Sequence, residues 1–128
     1  MNLVKQLDGD GCSVACVAMV GGTCYEHVKE MARFTIGSPN FRNESHSIKR
    51  FLDDEFNIKS RFIKFNRLKD LKNNSILIVA KIDLNLGPKC NVHAIVYDAK
   101  KKKILDPDTS DIKDLSGHNV VQCLEIVK

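Results

Sequence analysis

The chain has 128 residues, of which 43% are hydrophobic and 28% charged, and a formal net charge of +4. That length buries a core without help from disulfides or metal, and the composition excludes an intrinsically disordered chain, so one domain over 1–128 is expected. The charge is mild and spread along the chain. It permits an acidic partner without requiring one, and the one dense basic block, at 100–103, reads as a solvated hairpin tip.

In chain order, 12–20 is apolar all round, the pattern of a central buried helix, and Gly21-Gly22 ends it. A second helix is predicted at 25–34, with Val28, Met31 and Ala32 inward, and Gly37-Ser38-Pro39-Asn40 breaks the chain. A third is predicted at 44–55, with Ile48, Phe51 and Leu52 at helical spacing. Strands follow at 59–65, 75–82 and 91–98, with a short helical turn at 66–71. The segment 102–105 pairs back as a hairpin stopped by Pro107, and 120–127 completes the sheet. Helices first and strands after predict an α+β domain, a central N-terminal helix packed on a C-terminal antiparallel sheet.

No apolar run approaches a membrane span, and the N-terminus lacks the layout of a signal peptide. Five cysteines, at 12, 16, 24, 90 and 123, cannot all pair within one chain. Reduced thiols in a cytosol-like compartment are the expectation, either at the site of action or at the site of synthesis before delivery.

The chemistry concentrates at 5–16. Cys12 opens the predicted central helix, where unpaired N–H groups and the dipole favour thiolate. Gln6 precedes it by six residues across a Gly/Asp turn, and its amide can supply an oxyanion donor beside the Cys12 N–H. A thiol nucleophile needs a base, and imidazole suits neutral pH. Of four histidines, His93 is held in a core strand by Ala94, Ile95 and Val96, while His27, His46 and His118 lie in polar surroundings. Asp106, across the hairpin, can bond the second ring nitrogen and fix the tautomer. If the tip lies near Lys100 and Lys101, His93 and Asp106 fall at the open ends of paired strands, on the same side. Asp8 and Asp10 oppose a thiolate at Cys12. They are expected to face solvent, the alternative being an acidic rim that selects cationic or small polar substrates.

The order Gln6, Cys12, His93, Asp106 resembles the papain-like cysteine peptidases. The local words are Gly11-Cys12-Ser13-Val14-Ala15-Cys16, Tyr25, His93-Ala94-Ile95-Val96-Tyr97 and Leu105-Asp106-Pro107. They are most similar to the bacteriocin-processing branch, which cuts after double-glycine leaders, and its stand-alone relatives. The resemblance implies a papain-like fold with Gln6 as oxyanion donor, Cys12 as nucleophile, His93 as base and acid, and Asp106 as orienter. It implies a peptide or protein substrate and, for a toxin, an immunity or inhibitor protein. Ser13 stands where relatives commonly carry glycine or an aromatic, and Ala94 where an aromatic often follows the histidine. These departures bear on the substrate rather than on thiol chemistry.

The expectation is a cysteine hydrolase acting on peptide bonds. The alternatives are deamidation, acyl transfer or RNA cleavage by a toxin-like domain, and a silent peptide-binding module. No cofactor and no metal are expected, and nucleic acid is not an expected partner. Asp8-Gly9-Asp10-Gly11 lacks the bidentate glutamate of a calcium loop, since Val17 falls at that position. A zinc site from Cys12, Cys16, Cys90 and His93 lacks any C-x-x-C pair. Gly21-Gly22 is followed by no Lys-Ser or Lys-Thr, as a phosphate loop would require. Cys90 is a candidate modulator of the thiol.

Overall fold

The structure, a computed structural model, describes residues 1–37, 41, 45–81, 92–108 and 112–127. Among these are three helices, α1 (Cys12–Gly21), α2 (Tyr25–Ile36) and α3 (Ser45–Phe56). Five strands follow: β1 (Ser60–Ile63), β2 (Ser75–Lys81), β3 (Val92–Asp98), β4 (Lys103–Leu105) and β5 (His118–Ile126). The strands form one antiparallel sheet in the order β1-β5-β2-β3-β4, and the fold is α+β. Differences from the predicted boundaries are a few residues, mostly at strand ends where pairing stops. Positions 38–40, 44, 82 and 90–91 lie outside the described residues.

Helix α1 is the centre of the layered core. Every side chain from Cys12 to Met19 is buried, because α2, α3 and β3 all pack on it. A helix enclosed on all sides needs no polar face, which is why 12–20 is apolar all round. It stops at Gly22, whose φ of 69° is left-handed. There the Gly22 and Thr23 N–H groups cap the carbonyls of Met19 and Ala18 at 3.4 and 3.0 Å.

The sheet is covered on both faces. Ile76, Ile78, Ala94, Val96, Leu105 and Leu124 pack with the helices. Leu77, Val79, Ile95, Tyr97, Ile104 and Cys123 pack against Leu71 and, from the connecting segments, Leu68, Ile112 and Leu115. Strands apolar on both faces read as continuous hydrophobic runs, as β2 and β3 do. Among the described residues no helix is long and apolar enough to cross a membrane.

Two sets of local contacts fix the chain on either side of β4. Strands β3 and β4 pair Val96 with Leu105, Tyr97 with Ile104 and Asp98 with Lys103, leaving 99–102 as the loop. Asp98 Oδ1 accepts from the Lys100 and Lys101 N–H groups at 3.1 and 3.2 Å, and Lys100 to Lys103 are exposed, as expected of a solvated tip. The N-terminal segment lies beside the chain leaving β4. Gln6 N donates to the Pro107 carbonyl at 2.9 Å, and Lys5 Nζ to the Asp106 and Asp108 carbonyls at 3.3 and 3.2 Å.

Candidate active site

Cys12 is the first residue of α1, 5% exposed, with its N–H directed out of the helix start. Gly11 precedes it as N-cap, and no acidic residue lies in the first turn to offset the dipole. The sulfur therefore sits at the positive end of a helix whose other walls are core.

His93 is the second residue of β3. Extending the β3–β4 register by one pair sets Asp106 opposite Ile95, which makes His93 its diagonal neighbour on the same side. The His93 Nε2–H donates to Asp106 Oδ1 at 2.7 Å. Asp106 is 3% exposed, and it is held by the backbone as well. Oδ1 accepts from the Asp108 N–H at 2.9 Å and Oδ2 from the Ile112 N–H at 2.8 Å. Three donors on one buried carboxylate fix its rotamer and favour its ionised form. With Nε2 bonded to Asp106, Nδ1 is the ring nitrogen left for the Cys12 side chain, which helps favour the charged imidazole.

Burial works against a charged imidazole here, but the hydrogen bonds and negative charges of Cys12 and Asp106 outweigh it and raise the His93 pKa to about 9. The folded protein then holds this proton more tightly than the unfolded chain. The resulting stability is complete below the ordinary imidazole value of 6.5 and is lost as pH rises through about 9. Denaturant unfolding at pH 6, 8 and 10 is expected to show a fall absent from His93→Gln. Parallel curves for the two proteins would refute it.

Gln6 lies on the loop leading to Cys12. Its Nε2 donates to the Asp8 carbonyl at 2.9 Å and to the Gly9 carbonyl at 3.2 Å, and Oε1 is buried with no hydrogen-bond partner among the described residues. Both amide N–H groups thus point at the turn that carries Cys12.

Asp8 keeps about 40% of its side chain exposed, as expected of a residue facing solvent, but its carboxylate is also engaged by the protein. Its Oδ2 accepts from the Tyr25 hydroxyl at 2.7 Å and from Lys29 Nζ at 2.9 Å. The Lys29 and then the Tyr25 hydrogen bond lower the Asp8 pKa below its usual value. Lys29 therefore matches the charge that would otherwise oppose a thiolate. Asp10 is exposed. Tyr25 is 5% exposed, as a core edge would be, yet its hydroxyl is engaged in this polar contact.

The remaining candidates separate from the site. His27 and His46 are exposed, with the His46 ring tilted against Phe62 at 4.8 Å between centroids, and His118 is half-buried at the start of β5. Cys16 is wholly buried, and burial, then the charges of Cys12 and Asp106, push its thiol well above the usual range. Burial also raises Cys123, to about 11, against a bond from Ser75. Cys24 is exposed, and none of the described cysteines is in a disulfide. Cys90 lies outside the described residues. Among the described residues no cluster of three His, Cys, Asp or Glu side chains is placed to hold a metal ion.

Sequence reasoning passes over Lys5, Lys29 and the backbone donors to Asp106. Lys29 carries a weak signal, lying one turn after Tyr25 on the same helix face. Comparison of the chain with protein-family models, with curated proteins and with solved structures found no match.

Proposed function

We propose that this protein is a papain-like cysteine hydrolase that cleaves peptide bonds through a thioester on Cys12. The observation that carries the reading is the convergence of three distant elements. The start of α1, the second residue of β3 and the residue after β4 supply one chain of interacting groups, Cys12–His93–Asp106, in which His93 is hydrogen-bonded to Asp106 and its charged form is favoured by both neighbours. Nucleophile, base and orienter need such a chain.

With its pKa at about 9, His93 already holds the proton taken from the thiol at neutral pH, and this imidazolium lies between the thiolate and the Asp106 carboxylate. The sulfur attacks the substrate carbonyl carbon, and the carbonyl oxygen becomes an oxyanion held by the Cys12 N–H and the Gln6 amide. As the tetrahedral adduct collapses, the C–N bond breaks and His93 returns its proton to the departing amine. Water then attacks the thioester, giving its proton to His93, and the acid leaves as the thiolate is restored.

Brief treatment with substoichiometric iodoacetamide at pH 6, followed by mass spectrometry, tests the pairing. Cys12 is expected to label ahead of the other four thiols, including the exposed Cys24, and to lose that preference in His93→Ala. Labelling led by Cys24, or Cys12 labelling indifferent to His93→Ala, would sink the reading.

A further inference from the structure

Helix α2 reaches the candidate oxyanion site through Asp8. Tyr25 and Lys29 are four residues apart on α2, so both side chains meet the same carboxylate oxygen. The main chain of Asp8 is engaged from the other side. Its carbonyl accepts from the Gly11 N–H at 3.1 Å and from Gln6 Nε2 at 2.9 Å. The same Tyr25 hydroxyl lies where a Cβ on Gly11 would be, 1.8 Å away, so ring and turn are fitted together directly ahead of Cys12.

The two bonds made by the Gln6 amide are unequal. The shorter goes to a carbonyl whose residue is tied to α2, and the longer, at 3.2 Å, goes to the carbonyl of exposed Gly9. Water can replace the amide at an exposed carbonyl at little cost. The first bond can therefore hold the amide in place while the second N–H turns to a new acceptor.

We propose that Tyr25 and Lys29 are positioning residues for the oxyanion site: they fix Asp8, whose carbonyl fixes the Gln6 amide, whose second N–H passes from Gly9 to the developing oxyanion. The proposal rests on the cysteine-hydrolase reading above. It gives Asp8 a task that the charge pattern of the sequence hides, because the carboxylate is used for anchoring rather than for contact with substrate.

Two reagents separate this role from a merely structural one. Alkylation by iodoacetamide displaces iodide at a saturated carbon and builds no oxyanion. Acylation by p-nitrophenyl acetate passes through a tetrahedral oxyanion, releases p-nitrophenolate and leaves an acetyl thioester on Cys12. Removing one oxyanion donor outright costs about 10²–10³ in rate, so loosening its support is expected to cost about tenfold. Tyr25→Phe should slow acylation of Cys12 by about that factor while alkylation stays within about twofold; in Lys29→Met, which also unmasks the Asp8 charge, the ratio of acylation to alkylation should fall by about that factor, and Lys29→Arg should recover most of that loss. Lys29 is half-exposed, so its variants keep the test open if Tyr25→Phe folds poorly. Acylation unchanged, or acylation and alkylation falling together, would overturn the positioning role. Failure of the hydrolase reading has a different signature: wild-type Cys12 would then react with neither reagent ahead of Cys24, and this proposal would fall with it.

Discussion

Asp106→Asn is expected to lower acylation of Cys12 by about three orders of magnitude or more, the scale seen when a buried orienting carboxylate is replaced by its amide. The Asp106 carboxylate accepts from His93 Nε2, the Asp108 N–H and the Ile112 N–H, all of them donors. An asparagine offers one acceptor oxygen and one donor nitrogen in the same space. If its oxygen serves His93 and Asp108, its nitrogen faces the Ile112 N–H, and that buried donor loses its partner at a cost of about 1–3 kcal/mol. The charge opposite the imidazolium is lost as well, so the His93 pKa should fall from about 9 towards its ordinary value. The check is the p-nitrophenyl acetate rate across pH, with imidazole NMR titration of the same variant. A variant that keeps its fold, its His93 titration and its acylation rate within about tenfold would dismiss Asp106 as orienter.

Gly11→Ala should be the most damaging conservative change in the loop before Cys12. A Cβ there would lie 1.8 Å from the Tyr25 hydroxyl oxygen and 2.8 Å from the ring carbon that bears it. Tyr25 is buried and held by Asp8, so it cannot swing into solvent as a flexible surface chain would. Either the ring leaves its slot or the turn moves, and overpacking of this kind costs about 1–3 kcal/mol. Both movements also displace the start of α1, so acylation is expected to fall with stability. A double-mutant cycle with Tyr25→Leu measures the contact, since neighbours in direct contact are non-additive. If Gly11→Ala costs as much in the Tyr25→Leu background as in the wild type, the steric explanation is wrong.

The parts of the molecule legible in sequence are those that periodicity and local chemistry dictate. The run 12–20 carries no strongly polar position, and α1 is enclosed by α2, α3 and β3. The alternation and turn residues from 91 to 107 describe a hairpin whose register follows once the tip is placed at 99–102. From that register the nearness of His93 and Asp106 can be argued from the chain alone, because cross-strand neighbours are a local property of a hairpin. The contact from His93 to Cys12 is of another kind, since it joins residues 81 positions apart.

Asp8 marks the limit of such reasoning. In sequence it is a negative charge four residues before a thiol, and Coulomb's law alone sets it against thiolate. In the fold its charge is matched by Lys29 and its hydroxyl partner is Tyr25, both brought to it by the packing of α2 on α1. The orientation of the Gln6 amide is equally out of reach, because it depends on which carbonyls the turn at 8–9 presents. Cys24 and Cys16 make the same point for thiols: identical residue types, one exposed and one sealed in the core with its pKa pushed up.

The α+β layout, the buried thiol-bearing helix and the pairing of a strand histidine with an aspartate across a hairpin are all written in the order of residues. Each follows from patterns a few residues long, where side-chain period and turn chemistry leave little choice. Which charges cancel, which donors meet the Asp106 carboxylate and where the Gln6 amide points are decided only by the folded chain. Those features depend on contacts between distant segments, which the packing of α1 against β3 and α2 brings together.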